Sequence, residues 1–158
     1  MGIPVEGLEG FAPGSSLGTT AWVALPQPLL TAFETLTLSN DPLHTDPDWV
    51  RGHTDFPDTI APGLLTLSLL PHFVNQLNLA SPGHHALNYG FDRIRWLQPV
   101  PVNSRVRARF VSAGCEPRHG KPGVALTMDV TVEIDGVDRP AMVARWLGLL
   151  VPDTGAEA

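Results

Sequence analysis

The sequence predicts an α+β domain in which an antiparallel sheet curls around one long buried helix. Three observations point there. Residues 59–80, "TIAPGLLTLSLLPHFVNQLNLA", run almost without charge for longer than a strand and read as a buried helix. Four later segments carry apolar residues at strand spacing, and "EIDGVDRP" between the last two is a hairpin signal. One early apolar helix followed by a run of strands is an α+β pattern.

Taken in order, residues 1–17 are rich in Gly, Pro and Ala without a period and read as an N-terminal arm. "TAWVAL" (20–25) predicts a short strand. "PQPLLTAFETL" (26–36) opens with prolines, then sets Leu29, Leu30, Phe33 and Leu36 at helical spacing. Residues 37–57 are dense in Asp, Asn, Pro and His and read as a long loop, of the kind that is usually functional. The buried helix is expected over 62–79, opened by Pro62 and kinked by Pro71, apolar on nearly all sides and therefore wrapped. Strands are expected at 86–100, 104–114, 124–135 and 139–151. Arg105, Arg107 and Arg109 alternate with Val106, Ala108 and Phe110, and Thr127, Asp129, Thr131 and Glu133 with Met128, Val130, Val132 and Ile134, so each strand has one wet and one buried face. Residues 152–158 read as a disordered tail.

At 158 residues, with 43% hydrophobic and 16% charged, the chain is the size of one globular domain. A formal charge of −6 disfavours nucleic acid and anionic lipid as partners. No apolar run approaches the roughly 20 residues of a membrane span, and a single cysteine, Cys115, fits a cytoplasmic location. His53, His72, His84, His85 and His119 show no metal-ligand spacing, so no metal is expected. "NYGFDRIRW" would leave an apolar strand edge open in a monomer, which predicts a homodimer.

Five segments in order, "AWVALPQPLLTAF", "LHTDPDW", "TIAPGLLTLSLL", "NYGFDRIRWLQPVPVNSRVRARF" and "VTVEIDGVDRPAMVA", resemble the MaoC-like acyl-CoA hydratases, and most closely their NodN-like branch. The resemblance covers residues 18–151. It implies a single hot-dog domain over those residues, a homodimer with the pocket between protomers, and no cofactor. It also implies a hydro-lyase reaction, the reversible addition of water to a trans-2-enoyl thioester on coenzyme A or an acyl carrier. That chemistry needs a base for water, an acid for Cα, and donors to the thioester oxygen.

Family members pair an Asp and a His, five residues apart in a motif like D-x-N-P-x-H, with backbone N–H groups at the start of the buried helix. His44 takes the place of that His, and Gly63 that of the helix-start glycine. Ser39 stands where the Asp is found, and Asp41 where the motif has its amide. A serine hydroxyl is no base near neutral pH without an activator. The catalytic candidates are therefore His44 as acid/base, Asp41 as replacement carboxylate, Ser39 as a holder of water, and Gly63 as oxyanion donor. Trp49 is expected to wall the pocket and Pro62 to border it. Asn88 and Tyr89 match a recurrent family stretch, and Arg93 and Arg95 open the densest run of positive charge, suited to coenzyme A phosphates. Two other functions fit the departures: isomerisation or cyclisation of a related conjugated carbonyl substrate, and catalytically degenerate thioester binding.

Overall fold

The computed structural model describes residues 11–79 and 83–153. Its framework is one antiparallel six-stranded sheet. β1 (Ser16–Thr19) and β2 (Val23–Ala24) both pair with β4 (Arg105–Pro117), which pairs with β5 (Val124–Ile134). β5 pairs with β6 (Val137–Pro152), and β6 with β3 (His84–Trp96), giving the order β1-β4-β5-β6-β3. β5 and β6 are joined through Asp135 and Gly136, with Gly136 at φ 73°, where a side chain would be strained.

The alternation read from sequence is observed. Val106, Ala108 and Phe110 are fully buried, as are Val130 and Val132 on β5, while Arg105 and Arg109 face water. The first strand lies earlier than expected, at Ser16 rather than Thr20. Residues 11–17 of the expected arm lie along β4: Gly14 donates to Ser112, Ser15 accepts from Ser112, and Ser112 Oγ donates to the Phe11 carbonyl. At the other end Pro152 closes β6 and Asp153 N–H donates to Gly83 O. Residues 1–10 of the arm and 154–158 of the tail lie outside the described residues.

Helix α1 (Gln27–Thr37) forms as its spacing predicts, burying Leu30 and Glu34. The long irregular stretch expected after it contains two short helices instead, α2 (Pro42–Thr45) and α3 (Pro47–His53). Each begins with Asp-Pro. Asp41 Oδ1 accepts from Leu43 N–H, and Asp46 Oδ1 accepts from Asp48 and Trp49 N–H, so each aspartate satisfies orphan donors while proline fills the first position, where no N–H is needed.

The expected helix over 62–79 is shorter and broken. α4 (Gly63–Ser68) and α5 (Leu70–Asn75) are separated at Leu69. Pro71 has no N–H to give Leu67, and its ring crowds that carbonyl. Pro62 is the residue before the helix, not its first turn. Nor is the helix wrapped on all sides in a single chain. Leu65, Thr66, Leu70 and Phe73 pack into the core, whereas Leu64 is 59% exposed.

Candidate active site

His44 lies on α2, whose cap at Asp41 fixes the direction of the short helix. The His44 backbone N–H donates to Asp41 O. Its ring Nδ1 sits 2.7 Å from Ile60 O. A carbonyl only accepts, so Nδ1 carries the proton, and in the neutral ring Nε2 is left with its lone pair. His44 borders a cavity of about 370 Å³ together with Ile60, Gly63, Thr66, Trp96 and Gln98.

Gly63 opens α4 inside that cavity. The preceding Pro62 carbonyl accepts from Leu65 and Thr66 N–H, while the Gly63 N–H has no acceptor among the described residues. The Gly63 carbonyl is held by Trp96 Nε1 at 2.9 Å and Thr66 Oγ1 at 2.6 Å. The indole comes so close that a Cβ on residue 63 would lie 3.0 Å from Trp96 Nε1. Any side chain there would have to push the indole aside by a few tenths of an ångström, and the small size of glycine keeps the start of the helix open to the cavity.

Of the residues singled out in the sequence, His44 and Gly63 meet, with the buried Pro62 next to Gly63. The others lie elsewhere. Ser39 is exposed, between Leu38 and Asn40 at φ 58° and 52°, and does not line the cavity. One oxygen of Asp41 is engaged in capping α2. Trp49 stacks on His53 at 4.7 Å between ring centroids. Asn88 Oδ1 accepts from Trp146 Nε1 at the rim of a second, largely apolar cavity of about 570 Å³ that shares no lining residue with the first. Tyr89, Arg93 and Arg95 project from the edge strand β3, where all three are exposed.

The run of arginines is less cationic than its sequence implies. Arg105 pairs with Asp135, Arg107 with Glu133 at 2.7 Å, and Arg109 approaches Glu133 at 3.8 Å. Arg107 also lies 4.5 Å over the Trp22 ring. Burial and the neighbouring Glu116 push the Cys115 thiol above its ordinary value, which suits an inert residue.

Sequence reasoning missed Thr66, Trp96 and Gln98 as lining residues. Trp96 ends the strand containing "NYGFDRIRW", and Thr66 follows Gly63 by three positions, one helical turn, so its hydroxyl returns to the Gly63 carbonyl. The second position was readable once Gly63 was singled out.

The family model described as "MaoC like domain" matches residues 10–134. The chain belongs to this MaoC-like family. Nodulation protein N of Rhizobium leguminosarum bv. viciae is 37% identical over 139 residues, covering 87% of this chain and 85% of that protein. The 3-hydroxyacyl-thioester dehydratase Z of Mycobacterium tuberculosis (strain ATCC 25618 / H37Rv) is 37% identical over 134 residues, covering 85% and 87%. Among solved structures, the (R)-hydratase from A. caviae involved in PHA biosynthesis superposes with a TM-score of 0.68 at 23% identity, over 87% of this chain and 95% of that one. The MaoC-like chain therefore has the hot-dog fold that its sequence resemblance implied. Among its described residues no helix is long and apolar enough to cross a membrane, and no group of His, Cys, Asp and Glu is arranged to hold a metal ion.

Proposed function

We propose that this MaoC-like protein adds water to, or removes it from, an enoyl/3-hydroxyacyl thioester, with His44 as acid/base and the Gly63 N–H as donor to the thioester oxygen. The observation that carries this reading is that the two line one cavity, with His44 Nε2 in its acceptor form. A thioester carbonyl at Gly63 N–H would have its developing negative charge stabilised by the donor and the helix dipole. His44 Nε2 then takes a proton from water as the oxygen attacks Cβ, and the resulting imidazolium returns a proton to Cα. One group performs both transfers in turn. This matters because none of the described residues lining the cavity is a carboxylate.

The same reading assigns Arg93 and Arg95 to the phosphates of a coenzyme A or the phosphopantetheine of a carrier, and makes the working unit a homodimer. Support for the dimer comes from β3, an edge strand of 13 residues whose Tyr89 is 69% and Trp96 44% exposed. Trp96 also lines the His44 cavity, so a partner laid along β3 would close it.

His44→Ala should lower hydration of crotonyl-CoA at least about a hundredfold without unfolding the protein. Unchanged turnover would remove His44 from the mechanism. The missing carboxylate favours a second reading, in which His44 alone moves a proton along a conjugated thioester and isomerises it without water. The products formed from an enoyl-CoA separate the two. Hydration gives the 3-hydroxyacyl thioester, whereas isomerisation shifts the double bond and takes up no water. If the double bond moves and no hydroxyl is gained, isomerisation replaces hydration, and if the thioester binds unchanged, simple thioester binding does.

A further inference from the structure

Two polar side chains of α1 reach the segment that carries His44, and neither lines its cavity. Gln27 and Glu34 are seven residues, two helical turns, apart on the face of α1 that also buries Leu30. Gln27 Nε2 donates to the His44 carbonyl at 2.8 Å, and its Oε1 accepts from Thr59 Oγ1 at 2.5 Å. Thr59 is fully buried and precedes Ile60, whose carbonyl holds His44 Nδ1. Gln27 thus ties together the two segments that meet in the His44–Ile60 hydrogen bond.

Glu34 constrains the same segment from its other end. It is only 2% exposed, and a carboxylate so placed is costly unless it is hydrogen-bonded. Its Oε2 accepts from Asp41 N–H at 2.9 Å, and its backbone carbonyl accepts from Ser39 N–H at 3.1 Å. Within the stretch so held, Leu38 and Asn40 are both in left-handed conformations. For a leucine that conformation is strained, and such a turn persists only where its surroundings over-determine it. Asp41 passes the constraint on, its carbonyl accepting from His44 N–H at 3.1 Å and from Thr45 Oγ1 at 3.0 Å.

We propose that Gln27 and Glu34 are positioning residues that act through His44, holding its Nδ1–H on Ile60 O so that Nε2 is kept in its acceptor form. The importance of this for turnover rests on the hydratase reading; the effect on the ring does not. The test is nitrogen NMR of the His44 ring in mildly alkaline buffer, where imidazoles are neutral, with its signal assigned by loss in His44→Ala. The native protein and Glu34→Gln, whose amide oxygen still accepts from Asp41, should show the Nδ1–H tautomer. Glu34→Leu and Gln27→Leu keep the approximate volume without the hydrogen bonds and should mix in the Nε2–H tautomer. On crotonyl-CoA both leucine variants should lose at least about tenfold in kcat with KM within about twofold, and Glu34→Gln should stay within about threefold.

Unmoved ring signals in both leucine variants would overturn the proposal, as would a Glu34→Gln spectrum as perturbed as that of Glu34→Leu. Should a leucine variant not fold, amide exchange in the native protein decides: slowed exchange at Asp41 supports the anchor, and exchange at the rate of an open chain removes it. A ring signal that moves in a protein hydrating no thioester keeps the positioning and ends the hydratase reading. Native hydration with an unmoved ring does the reverse.

Discussion

The β4–β5 pair and the segment from residue 38 to 53 hold their backbones by opposite means. Across β4 and β5 the backbone satisfies itself, from Val106 opposite Ile134 to Pro117 opposite Val124, with one irregularity at Ser112–Gly114. Side chains there need only alternate. Between 38 and 53 the ladder is missing, and individual side chains fill what the two short helices leave unsatisfied: Glu34 for Asp41, Asp41 for Leu43, and Asp46 for Asp48 and Trp49, while Gln27 holds the His44 carbonyl. The sheet rests on a repeated pattern that many sequences satisfy, whereas the site rests on particular atoms.

The largest effect expected from this contrast is in the sheet. Phe110 is fully buried, packs within the main core and lies 6.5 Å from the Trp146 ring. Phe110→Ala should cost about 3–5 kcal/mol, read as a lower urea midpoint in tryptophan fluorescence, with site and sheet lost in one transition. A cost below about 1 kcal/mol would show that the core collapses around the gap. The sheet would then be far less dependent on its packing than its burial implies.

A smaller effect is expected where a single side chain stands in for the ladder. Asp46→Ala leaves the Asp48 and Trp49 N–H groups without their cap and should cost about 1 kcal/mol. The sharper signature is where the loss falls. Amide exchange should quicken within α3 and stay unchanged in β4 and β5, because the capped segment opens locally. Equal acceleration in the sheet would mean that the two regions are one cooperative unit and would erase the contrast.

The same contrast explains what was legible in the sequence. The faces of β4 and β5 could be read from Arg105/Val106 and Thr131/Val132 because the period of a strand is a local property. The break at Leu69 was partly visible in Pro71, though not the earlier end at Asn75. The two short helices had a signal that went unused: Asp41-Pro42 and Asp46-Pro47 each place a capping side chain before a proline suited to the first helical turn. His44 and Gly63 were located through the family resemblance. Their meeting in one cavity depends on the Ala61 N–H to Val100 O and Ile60 N–H to Leu43 O bonds, contacts between distant segments that no local pattern encodes. Glu34 was unreadable for a related reason. On a helical wheel it is one more glutamate, and only the return of residue 41 over it explains its burial.

The smallest predicted effect tests whether the sheet uses individual side chains at all. Asp129 and Arg145 face each other across β5 and β6, with Nε to Oδ1 at 2.8 Å. The hydrogen bond from Arg145 holds the Asp129 carboxyl below its ordinary value, against a smaller opposing effect of burial. A carboxyl depressed in the folded state binds its proton more readily when the chain is unfolded. The pair therefore adds stability above the unfolded pKa and loses it as pH falls through the folded one. Both side chains are about half exposed, so the contribution should stay under about 1 kcal/mol and shrink further in high salt. Urea melts of the native protein and Asp129→Asn should accordingly differ slightly at neutral pH and converge in acid, below the ordinary aspartate range. A gap that persists unchanged into acid would assign the effect to packing or to the neutral hydrogen bond. A gap well above 1 kcal/mol at neutral pH would show β5–β6 leaning on one specified pair, as the segment around His44 does.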